Sequence, residues 1–329
     1  MVQLGYALSS EEHAPNELVR DAKRAEAAGF TFAMISDHYH PWTDRTGHSP
    51  FAWAVIGGVA TATSTLRLGT GVTCPTTRYH PAIVAQMAAT AACMMPGRFF
   101  LGVGTGEALN EHVAGARWPE TDVRREKLEE AIRVIRLLWQ GGMRSWHGKH
   151  YTVENAQIFD LPKQPTPVFV AAAGPTSAAL AGRIGDGFIG TSPKKDALQQ
   201  FAQNGGAGKE MIGQITVCWA ADEASARKTA YEWWPNAAIP GELGQELPTP
   251  SYFEQAAKLV TEERVAKEIV CGPDPHKHLA EIEKYVDAGY SHVYVHQVGP
   301  DQDGFFRFYE REILPQLAAQ PVGAARAAR

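Results

Sequence analysis

What most limits the folds open to this sequence is a recurring unit: a short apolar run, a glycine-rich or polar loop, then an amphipathic stretch. The apolar runs fall at residues 2–8, 32–36, 66–72, 99–103, 168–171, 187–190, 215–219 and 292–296. Between them the apolar spacing changes to three and four. Residues 15–28 open on Pro15 and stop at Gly29, a helix start and a helix stop. Another helix follows at 81–92. The strongest spans 121–140, with Leu128, Ala131, Ile132, Ile135 and Leu138 on one face and Arg124, Glu129, Arg133 and Arg136 on the other. Gly141-Gly142 ends it. Strands alternating with helices make parallel βαβ units. About eight such units make a closed (β/α)₈ TIM barrel of the α/β class.

With 329 residues the chain exceeds the ~250 of a simple barrel, and the surplus falls in two places. Residues 146–158 read as a small β-hairpin turning at His147-Gly148, and 233–250, rich in proline and glycine, as a long loop or lid. A single barrel domain over 1–320 is expected, with 321–329, rich in Ala and Arg, as a disordered tail. Charge is spread without blocks, 31 basic against 36 acidic side chains for a net −5, which argues against a nucleic-acid partner. No apolar run reaches the ~18 residues that cross a bilayer. The first residues lack a basic segment followed by a hydrophobic one, so no signal peptide is read there. Cys74, Cys93, Cys218 and Cys271 form no Cys-x-x-Cys pair, the pattern of reduced thiols rather than structural zinc. The expectation is a cytoplasmic protein with a small-molecule partner and no membrane.

In such a barrel the active site is built at the C-terminal ends of the strands. The second strand delivers Ser36-Asp37-His38-Tyr39-His40-Pro41-Trp42. Its Asp and His could serve as anchor and general base, or equally be a solvated loop pair. The third strand ends Gly69-Thr70-Gly71-Val72, where glycines suit a backbone close to a ligand or an ordinary turn. The fourth ends Gly102-Val103-Gly104-Thr105-Gly106-Glu107-Ala108-Leu109-Asn110, which lacks the dinucleotide spacing but offers backbone amides and one carboxylate, Glu107. The fifth ends Ala171-Ala172-Ala173-Gly174-Pro175, with little bulk before a helix start, a place for a ligand phosphate. The sixth supplies Thr191, Ser192, Lys194 and Lys195, hydroxyls and cations that could receive an anion.

Two readings compete. His38 and His40 could begin a hydrolase metal site, but the fifth and sixth strands offer no further ligands and the eighth offers His296 without an Asp. No metal is expected. The alternative is an organic redox cofactor laid on the glycine-rich turns. Ser36-Asp37-His38 with Pro41-Trp42, the run LGVGTGEALN at 101–110, Ala171 to Pro175, and Gly185-Asp186-Gly187-Phe188 resemble the luciferase-like barrel superfamily. Within it the sequence is similar to the deazaflavin-dependent glucose-6-phosphate dehydrogenases, which use coenzyme F420, from Leu4 to about Leu317.

The resemblance implies roles. Asp37 would contact the deazaflavin, and Gly71-Val72 would be the family's non-prolyl cis peptide against its ring. Thr105, Gly106 and Asn110, with Ala172, Ala173 and Gly174, would hold the ring and its phosphate-bearing tail. His38 would be the base on a substrate hydroxyl, Trp42 would shield the reacting centre, and Glu107 would serve the proton balance at the reduced ring. Thr191 and Lys194 match two of the family's four contacts to the substrate phosphate. The other two, a Lys and an Arg, have no match: residues 233–250 contain neither type, and Glu268 stands where the Arg would be. The implied function is oxidation of a hydroxyl group, of a sugar phosphate first, by an F420-dependent homodimer. A non-phosphorylated alcohol, an FMN-dependent monooxygenase and a non-catalytic cofactor carrier are the alternatives.

Overall fold

The computed structural model describes residues 2–319, so the expected tail at 321–329 lies outside the described residues. Among them the strands are β1 (Gln3–Leu8), β2 (Phe32–Ile35), β3 (Arg67–Thr70), β4 (Phe99–Val103), β5 (Arg144–His147), β6 (Thr152–Ala156), β7 (Val168–Ala171), β8 (Gly187–Gly190), β9 (Glu210–Cys218), β10 (Val270–Cys271) and β11 (His292–Gln297). Eight parallel strands follow one another in the order β9-β11-β1-β2-β3-β4-β7-β8, and β8 pairs back onto β9. The ring is a closed barrel. β5 and β6 form an antiparallel hairpin outside it, and β10 adds to the upper end of β9 after β8 has left that edge.

Helices alternate with the strands. Pro15–Ala28 has Pro15 in its first turn, the Glu17 carboxylate accepting from the Ala14 N–H at 3.0 Å, and Gly29 at φ 100 closing it. Pro81–Met94 and Thr121–Leu138 match their expected positions closely. The helix Ala52–Ala62 has no counterpart in the sequence reading. It is apolar on nearly every side, so it carries no stripe to detect. Strand β9 begins at Glu210 rather than 215 because polar residues interrupt its apolar run; one of them, Gln214, accepts a 2.7 Å hydrogen bond from the Tyr294 hydroxyl. Residues 233–250 are less open than a loop, holding a turn at Pro235–Ala238 and a short helix at Leu243–Glu246.

Phe32, Met34, Phe100, Phe169, Ile189, Ile212 and Tyr294 pack together as the barrel's inner core. Large residues face small ones: a Cβ on Gly69 would lie 2.0 Å from the Phe100 ring. The period-two alternation then carries Ser36, two beyond Met34, and His296, two beyond Tyr294, toward the axis at the C-terminal mouth. The filled interior forces any ligand to that mouth.

Candidate active site

β1 lies between β2 and β11, and two consecutive glutamates beyond its end reach one neighbour each. Glu11 Oε1 sits 2.9 Å from His38 Nδ1, and Glu11 Oε2 accepts from Ser36 Oγ at 2.6 Å and Ser9 Oγ at 3.1 Å. Glu12 Oε2 sits 2.6 Å from His296 Nε2 and Oε1 accepts from the Gly299 N–H at 2.9 Å. Burial alone would raise the Glu11 carboxyl, but His38 and Ser36 outweigh it and hold it down at about 2. Burial likewise disfavours the His38 imidazolium, yet Glu11, and after it Glu107, push the imidazole up to about 9. His38 therefore rests protonated near neutral pH. Its other nitrogen, Nε2, is 4.0 Å from Glu107 Oε2, and the Trp42 ring stands edge-on to the imidazole at 5.1 Å.

Behind this pair is a buried charge cluster. Asp37 accepts from Arg78 Nη2 at 3.0 Å, Tyr79 Oη at 3.2 Å, Trp53 Nε1 at 3.1 Å and Thr73 Oγ1 at 2.7 Å. The Asp37 side chain is 0% exposed. Both carboxylate oxygens brace the ends of β2 and β3. Arg78 also meets Glu111, with Nε 3.7 Å from Oε1 and the backbone N–H donating to Oε2 at 2.9 Å. Burial pushes Glu111 up to about 7, against the pull of Arg78.

A shelf of small residues crosses the mouth from β3 to β7. The Gly71–Val72 bond is cis, as the resemblance implied. A side chain on Gly104 would strike Val72 at 2.8 Å, and a Cβ on Gly106, which sits at φ 77, would lie 2.7 Å from Cys74 Sγ. Val72, Thr105, Gly106, Ala171, Ala172 and Gly174 are half-buried and Ala173 is exposed, so the surface is open. Asn110 Oδ1 accepts from the N–H groups of Tyr39 and His40 at 2.9 and 3.1 Å, while its buried Nδ2 has no partner. Thr191 and Lys194 are exposed beyond β8, which in the ring of eight stands opposite β2. Neither makes a hydrogen bond to His38, and His40 Nδ1 lies 2.9 Å from the Leu109 carbonyl oxygen. Among the described residues no group of three or more His, Cys, Asp or Glu is arranged to hold a metal ion.

Sequence reasoning missed Glu11, Arg78 and Glu111. The signal for Glu11 was available, since Ser9-Ser10-Glu11-Glu12 follows a strand end as the other site residues do. Arg78 had none: its partners Asp37 and Glu111 lie 41 and 33 residues away.

A filled barrel with an imidazole–carboxylate pair beside a glycine-floored shelf defines a class of cofactor-dependent barrel. The luciferase-like monooxygenase family matches residues 2–292, and the chain belongs to it. Within reach of that family, a Mycobacterium avium (strain 104) protein named F420-dependent glucose-6-phosphate dehydrogenase is 40% identical over 331 residues, covering 96% of this chain and 98% of the relative. A protein of the same name from Microbacterium testaceum (strain StLB037) is 38% identical, covering 96% and 97%. A solved F420-dependent secondary alcohol dehydrogenase, in complex with an F420-acetone adduct, has a TM-score of 0.87 at 30% identity, covering 95% of this chain and 98% of that one. The F420-dependent tetrahydromethanopterin reductase from Methanopyrus kandleri, at 23% identity and TM-score 0.76, shares the fold. No helix among the described residues is long and apolar enough to cross a membrane.

Proposed function

We propose that this chain is an F420-dependent dehydrogenase that oxidises a hydroxyl group to a carbonyl. The observation that carries the reading is the Glu11-clamped imidazole of His38 at the edge of the open shelf. The shelf fits a planar ring and an anionic tail. A side chain at Gly104 would crowd Val72 and Ala171 on it, Asn110 Nδ2 is a buried donor awaiting a partner, and the helix Pro175–Ile184 opens its N-terminus behind Gly174. Val72, Thr105, Gly106, Asn110, Ala172, Ala173 and Gly174 would hold the cofactor. Bound F420 supplies the hydride acceptor.

The chain's residues do the rest. His38 in its neutral form takes the hydroxyl proton at Nε2, because Nδ1 is committed to Glu11. Glu11 orients the ring and stabilises the imidazolium that results. Trp42 excludes water from the reacting carbon, and Glu107, at 30% side-chain exposure, holds or releases a proton at the solvent side. The names of the relatives support a CH–OH substrate, glucose 6-phosphate being the first to test. Titrating the protein with F420 and with FMN, then following loss of F420 absorbance with substrate, tests the reading. Tight FMN binding with negligible F420 binding overturns it in favour of a monooxygenase. His38→Ala is expected to keep F420 affinity and lose turnover; a pure carrier would have no turnover to lose. The reading includes a cytoplasmic homodimer, with the exposed Ile83 and Met94 on the helix Pro81–Met94 as part of its contact.

A further inference from the structure

We propose, resting on the dehydrogenase reading, that Ser36 is a positioning residue that sets how readily His38 takes the substrate proton, by competing with the imidazole for the charge of Glu11. The Ser36 N–H donates to the Leu8 carbonyl oxygen at 3.3 Å, which carries the β1–β2 ladder one step past the end of β2. Its side chain meets the loop after β1. There the Ser10 N–H donates to Ser36 Oγ at 2.9 Å, and Ser10 Oγ donates to the Ser36 carbonyl oxygen at 2.8 Å. With the Ser10 proton spent, the Ser36 hydroxyl is the donor. It has Glu11 Oε2 at 2.6 Å and Ser10 Oγ at 2.9 Å within reach, and the charged acceptor is the stronger. Ser9 Oγ adds a longer bond to the same oxygen at 3.1 Å. The Glu11 carboxylate is buried, so these hydroxyls do for it what bulk water does at a surface.

One carboxylate thus serves claimants on opposite oxygens, His38 Nδ1 at Oε1 and the hydroxyls at Oε2. While the imidazole is neutral, the Glu11 charge is uncompensated and the Ser36 bond is at its strongest. Once the imidazole takes the proton, the ion pair draws charge toward Oε1 and the Ser36 bond weakens. The hydroxyl therefore favours the neutral, proton-accepting state of His38 over the charged one. Glu11 raises the basicity of the imidazole, and Ser36 holds part of that rise back. The other groups around the pair are Glu107 from the loop after β4, Arg78 from the loop after β3 and Tyr294 of β11, whose hydroxyl donates to Gln214. Asp37 is bound to Arg78, and Glu12 faces His296. Replacing Ser36 alters the charge of none of them.

The test follows the His38 imidazole by NMR in the full, cofactor-free chain labelled at histidine, its signal being the one absent from His38→Ala. It then follows kcat/KM across pH with F420 and glucose 6-phosphate or 2-propanol, whichever the chain oxidises faster. Ser36→Ala is expected to move the His38 midpoint upward by about one pH unit, so that kcat/KM at pH 7 falls about tenfold and the loss is recovered at higher pH. Ser9→Ala should move it the same way by less. Ser36→Thr, which keeps the hydroxyl, should hold the wild-type midpoint. A side chain that only packs would lower kcat/KM equally at every pH and leave the midpoint alone. An unmoved or lowered midpoint in Ser36→Ala, or a Ser36→Thr midpoint displaced as far as that of Ser36→Ala, overturns the assignment of Ser36 and leaves the dehydrogenase reading standing. No reduction of F420 with either substrate overturns the dehydrogenase reading and the role of Ser36 in it, whatever the NMR midpoints.

Discussion

The acid–base behaviour of the site is set by one pair of side chains. His38 must be neutral to accept a hydroxyl proton, and Glu11 lifts its pKa to about 9. Below that pH the imidazole is already protonated, so kcat/KM for alcohol oxidation should rise about tenfold per pH unit and level off above about 9. Carbonyl reduction, which needs the proton in place, should be level below about 9 and fall above it. Glu11→Gln removes the charge that raises the pKa, and the midpoint of the oxidation profile should drop to or below the ordinary 6.5; an unmoved midpoint would remove His38 from the role of base. Stability follows the same pair with both signs worked out. The raised imidazole contributes fully below 6.5 and its contribution is lost as pH climbs through about 9; the lowered carboxyl contributes fully above 4.5 and its contribution is lost as pH falls through about 2. Arg78 is the other residue on which charges converge. Arg78→Met leaves Asp37 and Glu111 buried without their cation and should cost about 3–5 kcal/mol in urea unfolding.

Among the elements, the loops after β3 and β4 depend on each other. Gly106 has a positive φ and no room for a Cβ against Cys74 and Glu111. Gly106→Ala should therefore weaken F420 binding, read by fluorescence titration, and lower stability by more than ~1 kcal/mol. The strand-end positions of His38, Trp42, Glu107 and Asn110 were legible because each follows an apolar run within a few residues. Glu11 follows one too, but two serines and two glutamates look solvated until barrel closure sets β1 beside β2 and buries them. The short helix Leu243–Glu246 was hidden in a stretch rich in proline and glycine. It is fastened by one carboxylate: Glu246 accepts from Arg124 Nη1 and Trp118 Nε1, each at 3.0 Å. Glu246→Ala should free the segment and speed chymotrypsin cleavage at Trp233 or Leu243, with trypsin cleavage between 233 and 250 absent because no Lys or Arg is there.

For the whole molecule, alternation of strand and helix was enough to read a closed barrel, since eight parallel strands with helical crossovers leave few other solutions. Which residues meet across its mouth was not readable in the same way. Asp37, Arg78 and Glu111 come together only because three successive strands end at one rim. The proposed homodimer should appear in light scattering at about twice 35.8 kDa; a mass near 35.8 kDa at micromolar protein would remove it from the reading.

The paired glutamates after β1 carry one more consequence. Because neighbouring residues grip opposite flanks, Glu11 toward β2 and Glu12 toward β11, the spacing from β1 to Glu11 cannot change by even one residue without handing each histidine the wrong partner. Other loops at the rim can lengthen or shorten and the base stays in place. Among relatives that keep this dipeptide, the first loop should be the one whose length evolution leaves alone, so a gap there in an otherwise similar sequence would mark a protein that has abandoned this proton chemistry.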